Sequence, residues 1–139
     1  MDVDKLLKAL DNENNENLMN FTSKKLKDLN KQIIEELPIQ KEKKKDFIIK
    51  LKEYKFVDEL KDLKDGTYIR WINLSNQKSI ELTKGAIFCE TKINDEGIIL
   101  VCKGFYNKYF QIKLNDCLVF QHLTNEEKVL LSAMDYLAK

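Results

Sequence analysis

The sequence predicts an α+β chain made of an N-terminal helical hairpin, a small antiparallel β-barrel or curled sheet of five to six strands (SH3-like), and a C-terminal helix. Three observations carry this. No glycine occurs before residue 66, and apolar residues recur there at helical spacing. All four glycines, Gly66, Gly85, Gly97 and Gly104, then punctuate short β-branched and aromatic runs. Finally, an apolar helical stripe follows a capping-box motif near the end. A chain of 139 residues buries roughly 68% of its unfolded surface, enough for one core without disulfides.

In chain order, Leu6, Leu7 and Leu10 predict a first helix. The run from Asp11 to Asn17 has no apolar anchor and reads as a linker, so residues 1–17 form one segment. Leu26, Leu29, Ile33 and Leu37 predict a second helix, which Pro38 must end because its ring cannot continue a helix interior. Phe47, Leu51 and Tyr54 predict a third, starting within residues 40–46 and running to about Asp62. The short link between the two makes them an αα-hairpin over residues 18–64, with facing stripes.

From Asp65 the period becomes that of strands, expected at 67–74, 79–82, 86–93, 98–103, 109–114 and 118–122. Asn94-Asp95-Glu96-Gly97 reads as a hairpin loop. A flat sheet this small leaves both edges open, which favours a barrel or curl over residues 65–139. Thr124-Asn125-Glu126-Glu127 caps the last helix, whose stripe is Leu130, Met134 and Leu137.

Charge excludes some function classes. With 24 basic and 23 acidic residues, bulk electrostatic coating of nucleic acid or membrane lacks its driving force. The balance holds in both halves, with 15 basic and 14 acidic residues up to Lys64 and nine of each beyond it. All basic residues except Arg70 are Lys, and with the abundance of Asn and Ile this matches an AT-rich coding sequence, which lowers the meaning of any single Lys. Three widely spaced cysteines, no leader-like opening and no apolar run near the roughly 20 residues a membrane helix needs predict a reducing compartment, the cytoplasm or a particle assembled there, and no membrane contact.

Catalytic chemistry finds little support in the residues. His122 is the sole imidazole, and only Cys89 or Cys102 could meet it across a sheet as a nucleophile. Three Cys and one His match a zinc ligand set, but they lack the two-to-four-residue spacing that zinc sites use. Neither a Walker nor a Rossmann glycine loop occurs. The reading is therefore a non-enzyme with no cofactor and no metal.

Two binding surfaces can be named. Lys41, Lys43, Lys44 and Lys45 open the third helix and, with rings such as Tyr68, Trp71, Phe105, Tyr106 and Tyr109, would suit single-stranded nucleic acid. Tyr68, Arg70, Trp71, Tyr106 and Tyr109 instead suit a protein interface, where Tyr, Trp and Arg concentrate. Alternation puts Ile69 and Trp71 on one face and Tyr68, Arg70 and Ile72 on the other, with Glu81 or Glu90 as candidate partners for Arg70.

The segments Leu51-Lys52-Glu53-Tyr54-Lys55-Phe56-Val57-Asp58-Glu59-Leu60, Leu63-Lys64-Asp65-Gly66-Thr67-Tyr68-Ile69-Arg70-Trp71-Ile72, Leu82-Thr83-Lys84-Gly85 and Phe120-Gln121-His122-Leu123-Thr124 occur in an order that resembles small uncharacterised proteins of large nucleocytoplasmic DNA viruses, over residues 47–138. Gly85-Ala86 stands where such sequences tend to have Gly-Gly. The resemblance implies no catalytic residue. It implies a virus-encoded accessory or particle-associated protein of host cytoplasm or virion. The expected function is a protein-interaction or assembly module, the alternative a single-stranded nucleic-acid-binding small barrel.

Overall fold

Two different pieces of local chemistry bound the first complete helix. Thr22 adopts an extended backbone, and its hydroxyl accepts the Lys25 N–H at 3.2 Å, satisfying one of the orphan donors of helix α1, Ser23–Glu35. At the other end the helix stops three residues before Pro38, as the proline requires. The computed structural model describes residues 4, 7–8 and 21–138. The expected first helix and the polar run after it therefore lie outside the described residues, apart from Asp4, Leu7 and Lys8, which are helical. The chain divides into two compact units, Met1–Glu36 with Leu123–Lys139, and Leu37–His122.

In the first unit α1 packs with the C-terminal helix. Leu26 joins Leu123, Leu130 and Leu131 in a buried cluster, with Phe21 and Met134 against it. Ser23 donates from its backbone N–H and its hydroxyl to the two Asp135 carboxylate oxygens, at 2.7 and 2.6 Å. The capping box at Thr124 is present in both directions: the Glu127 N–H donates to Thr124 Oγ1 at 3.1 Å, and the Thr124 N–H donates to Glu127 Oε1 at 2.9 Å. Two expectations are corrected. The buried positions of α1 are Leu26, Asn30 and Ile34 rather than Leu26, Leu29 and Ile33, and the cluster that holds Leu26 is completed by residues about a hundred positions away instead of by an adjacent hairpin arm.

In the second unit helix α2 spans Lys41–Lys50. The sequence stripe through Tyr54 predicted that it continues to about Asp62, but Tyr54–Phe56 is strand β1, followed by a 3-10 turn at Leu60–Asp62. The residues Tyr54-Lys55-Phe56-Val57 are rich in strand formers, and the strand Cys117–His122 offers them a full ladder, with Tyr54 opposite His122, Phe56 opposite Phe120 and the Val57 N–H donating to the Val119 carbonyl at 2.8 Å. Tertiary pairing outweighs a three-residue coincidence with helical spacing.

The remaining strands are β2 Tyr68–Asn73, β3 Ala86–Asn94, β4 Gly97–Lys103, β5 Tyr109–Lys113 and β6 Cys117–His122. Ser79–Leu82, expected as a strand, contributes one bridge, Ile72 to Leu82. All pairings are antiparallel, in the order β1-β6-β2-β3-β4-β5. Among the described residues β1 and β5 do not pair, so the sheet keeps two edges. A register shift at Phe88–Glu90 marks a bulge in β3.

One sheet face carries a core of Val57, Leu63, Ile69, Trp71, Ala86, Phe88, Leu100, Cys102 and Val119. Gln121 anchors the loop beneath it. Its side-chain oxygen accepts from the Lys64 N–H at 2.6 Å and the Thr67 hydroxyl at 2.8 Å, while its amide donates to the Asp62 carbonyl at 3.0 Å. A buried amide with these three partners costs nothing in unsatisfied polarity. Ile72 and Phe120 alternate to the opposite face and are also fully buried, as are Leu51 and Ile80.

Candidate interaction surface

Two regions gather the residues that the sequence singled out. The first surrounds Arg70 on β2. Here the chain returns over the strand as a strap, Thr83 to Gly85, and one donor each from Arg70 and Tyr68 meets its backbone. Arg70 Nε donates to the Thr83 carbonyl at 2.8 Å, and the Tyr68 hydroxyl donates to the Lys84 carbonyl at 2.6 Å. The Thr83 N–H donates to the Trp71 carbonyl, and the Trp71 N–H to the Thr83 hydroxyl. Gly85 allows this closeness: a Cβ there would sit 2.3 Å from the Ile69 carbonyl oxygen, 2.7 Å from the Tyr68 ring and 2.9 Å from Arg70 Cγ, and the backbone has φ +95°. Arg70 is therefore held by a carbonyl, and the proposed carboxylates are engaged elsewhere, Glu81 with Lys43 at 2.6 Å and Glu90 with Lys92 at 3.8 Å.

Beside the strap, Tyr54 lies edge-on to His122 with ring centroids 5.0 Å apart, and His122 Nε2 stands 3.5 Å from Glu53 Oε2, an ion pair only when the imidazole is protonated. Burial pushes the Tyr54 phenol up, and the nearby Arg70 charge works against that shift. Trp71 is 9% exposed and belongs to the core, so its indole has no open face for a partner.

The second region is the β4–β5 hairpin, and it has the opposite character. Phe105, Tyr106, Tyr109 and Phe110 are 69%, 94%, 64% and 44% exposed. The turn itself is left-handed: Tyr106 has φ 62° and Asn107 φ 59°, with the Lys108 N–H pointing back to the Phe105 carbonyl at 3.4 Å. Two successive residues of this kind make a type I′ turn, which matches the strand twist but suits Asn and Gly. Asn107 fits that preference. Tyr106 does not, since a left-handed L-residue costs about 1–2 kcal/mol and no burial of its ring offsets the strain. Phe110 lies over Gly104, where a Cβ would come within 2.4 Å of the ring, so glycine provides its seat.

Tyr106 and Tyr109 were legible as candidates, and the structure exposes both on the β4–β5 hairpin along with Phe105 and Phe110, Tyr109 opposite Lys103 on one face of the sheet and Phe110 opposite Cys102 on the other. Phe110 was missed because it pairs with buried Cys102 and alternation alone turns it inward. The candidate lysines fall elsewhere. Lys41 and Lys45 are exposed on α2, Lys43 is bound to Glu81 and lies 6.0 Å from the Phe47 ring centroid, and Lys44 is half-buried. The Leu82 bridge next to Glu81 joins β2, three places from β5 in the sheet order.

Cys102 and His122 cannot form a nucleophile–base pair. Cys102 belongs to the core face with Val119, and His122, at odd spacing from Val119 on the same strand, lies on the other. Burial pushes the Cys102 thiol up to about 12 and the Cys117 thiol up to about 11, the direction of inert thiols. Among the described residues no three His, Cys, Asp or Glu side chains gather as a metal site, and no helix is long and apolar enough to cross a membrane. Comparison of the chain with protein families, curated proteins and solved structures gives no match.

Proposed function

We propose that this chain is a protein-interaction module that meets its partner with the aromatic corner formed by Phe105, Tyr106, Tyr109 and Phe110. The observation that carries this reading is Tyr106: a bulky side chain in a left-handed turn, 94% exposed, makes no folded-state contact that would offset its conformational cost. A position like that is explained by what the ring does in a complex, and Tyr is a residue that interfaces concentrate. Arg70 and Tyr68 lie outside this surface, with Arg70 Nε and the Tyr68 hydroxyl directed at the strap. A virus-encoded accessory or particle-associated role is the setting that the sequence resemblance adds to this proposal.

Single-stranded nucleic acid is the second reading, and one observation favours it. Between Glu96 and Asp116 there is no acidic residue, while Lys103, Lys108 and Lys113 accompany the exposed rings, the combination on which bases stack beside phosphates. The test is photo-crosslinking from position 106 in native lysate, with and without nuclease, beside capture by the double substitution Tyr106→Ala with Tyr109→Ala. A nuclease-resistant protein adduct, and capture lost in the double variant, are expected. Capture that the double variant leaves unchanged sinks the proposal, and an adduct that disappears with nuclease selects the second reading.

A further inference from the structure

The hydrogen-bond phase of the last hairpin shows which atoms β5 leaves open. The Gly104 N–H donates to the Lys108 carbonyl at 2.8 Å, and the ladder continues in the same register through Cys102 opposite Phe110 and Leu100 opposite Ile112. Antiparallel pairs alternate between bonded and non-bonded types. The pairs Lys103–Tyr109, Val101–Gln111 and Ile99–Lys113 are therefore the non-bonded ones, and Tyr109, Gln111 and Lys113 direct their N–H and C=O groups away from β4. These three residues are exposed, and among the described residues β5 ends the sheet. The other edge differs, since Tyr54 and Lys55 of β1 are each 8% exposed.

The chain segment that forms this edge carries charge of one sign. Residues 97–115 hold Lys103, Lys108 and Lys113 and no carboxylate, in a chain whose net charge is only +1. Lys113 approaches Glu96 at 3.5 Å across the hairpin, an exposed pair of small energetic weight. Lysines beside an edge also discourage two identical edges from pairing. An antiparallel pairing of β5 with a second copy centred on Gln111 would set Tyr109 against Lys113 and gather the lysines of both copies along one seam.

We infer that β5 receives an extended, acidic segment of the protein partner as a seventh strand, bonded to the outward N–H and C=O groups of Tyr109, Gln111 and Lys113, with its carboxylates on the face of Lys103 and Lys113 and the aromatic corner closing one end. This rests on the protein-binding reading above and names the chemistry of its partner. Main-chain bonds supply affinity in such strand addition, and alternate side chains supply choice of partner.

The test uses the full chain and three probe heptapeptides with blocked ends: alternating Glu and Val, alternating Lys and Val, and the Glu–Val peptide N-methylated at alternate residues. The Glu–Val peptide is expected to bind, to slow amide exchange at Tyr109, Gln111 and Lys113, and to weaken as salt rises. The Lys–Val and N-methylated peptides are expected to bind at least about tenfold more weakly. Gln111→Pro removes an outward N–H and no ladder bond, so it should keep the fold and lose the same factor. Equal binding of all three peptides, or exchange protection anywhere but β5, overturns the inference, as does a β5-paired dimer in sedimentation that Gln111→Pro dissociates. Binding of a single-stranded oligonucleotide to β5 in place of the Glu–Val peptide overturns it too. Lysate capture lost with Tyr106→Ala and Tyr109→Ala but kept with Gln111→Pro overturns strand addition alone; capture kept by both variants sinks the aromatic-corner reading itself.

Discussion

The Arg70 strap and the β4–β5 corner use similar residue types to opposite ends. Around the strap, Arg70 Nε and the Tyr68 hydroxyl donate to carbonyls, the Trp71 main chain pairs with Thr83, and Gly85 lets the strap come close. At the corner, Phe105, Tyr106 and Tyr109 are held out, and a strained turn fixes one of them there. The contrast teaches that residue type does not mark an interface; what marks it is whether the folded chain already satisfies the group.

The comparison breaks most severely at Gly85. Gly85→Ala drives a Cβ into the Ile69 carbonyl and the Tyr68 and Arg70 side chains at a positive φ, so it should cost about 3 kcal/mol in denaturant unfolding. Gly66→Ala, also at positive φ but facing open space, should cost about 1 kcal/mol. Equal losses at both glycines would show that backbone strain alone, and no close approach of the strap, governs this region.

Gln121→Leu comes next. It strips partners from the Lys64 N–H and the Asp62 carbonyl while the Thr67 hydroxyl keeps the Lys64 carbonyl, and should destabilise by about 2 kcal/mol without changing capture of a partner at the corner. A smaller and opposite effect is expected on the other side of the comparison. Tyr106→Asn relieves the left-handed turn, so it should raise stability by about 0.5 kcal/mol while abolishing crosslinking or capture. A variant that is more stable and inactive is the signature of strain kept for function; lower stability would mean that the ring packs in the folded state.

A pH dependence follows from the buried thiols. Burial raises Cys102 from 9.0 to about 12 and Cys117 from 9.0 to about 11. The folded state thus holds both neutral where the unfolded state ionises. Their contribution to stability is complete below pH 9 and is lost as pH rises, up to about 11 for Cys117 and about 12 for Cys102. Denaturation midpoints taken from pH 8 to 11 should fall less steeply in Cys102→Ala than in the parent chain.

Much of the fold could be read because local signals agreed with tertiary demands. The capping box at Thr124 and Glu127 depends on atoms three residues apart, and it forms as written. The Asn94–Gly97 loop needed a residue tolerant of positive φ, and Gly97 has φ +116°. Five of the six expected strands form, each end within one residue of its expected place. The errors arose where a distant segment decided. Tyr54 fitted a helical stripe until β6 offered a ladder, and Gln121 gave no polar signal inside an apolar strand because its three partners lie more than fifty residues away.

By itself the sequence determined what short-range chemistry controls: where helices can stop, where turns can reverse, which thirteen residues form the last helix to within a turn, and that the stretch from Gly97 to Asn115 carries only positive charge. The tertiary structure alone decided which aromatics are enclosed and which stand open, that α1 pairs with the C-terminal helix, that Arg70 binds a carbonyl, and which atoms of β5 face outward. The reason is physical. Capping and turn geometry depend on neighbours within a few residues, whereas burial and ladder phase depend on which distant strand arrives at the sheet, and in which register.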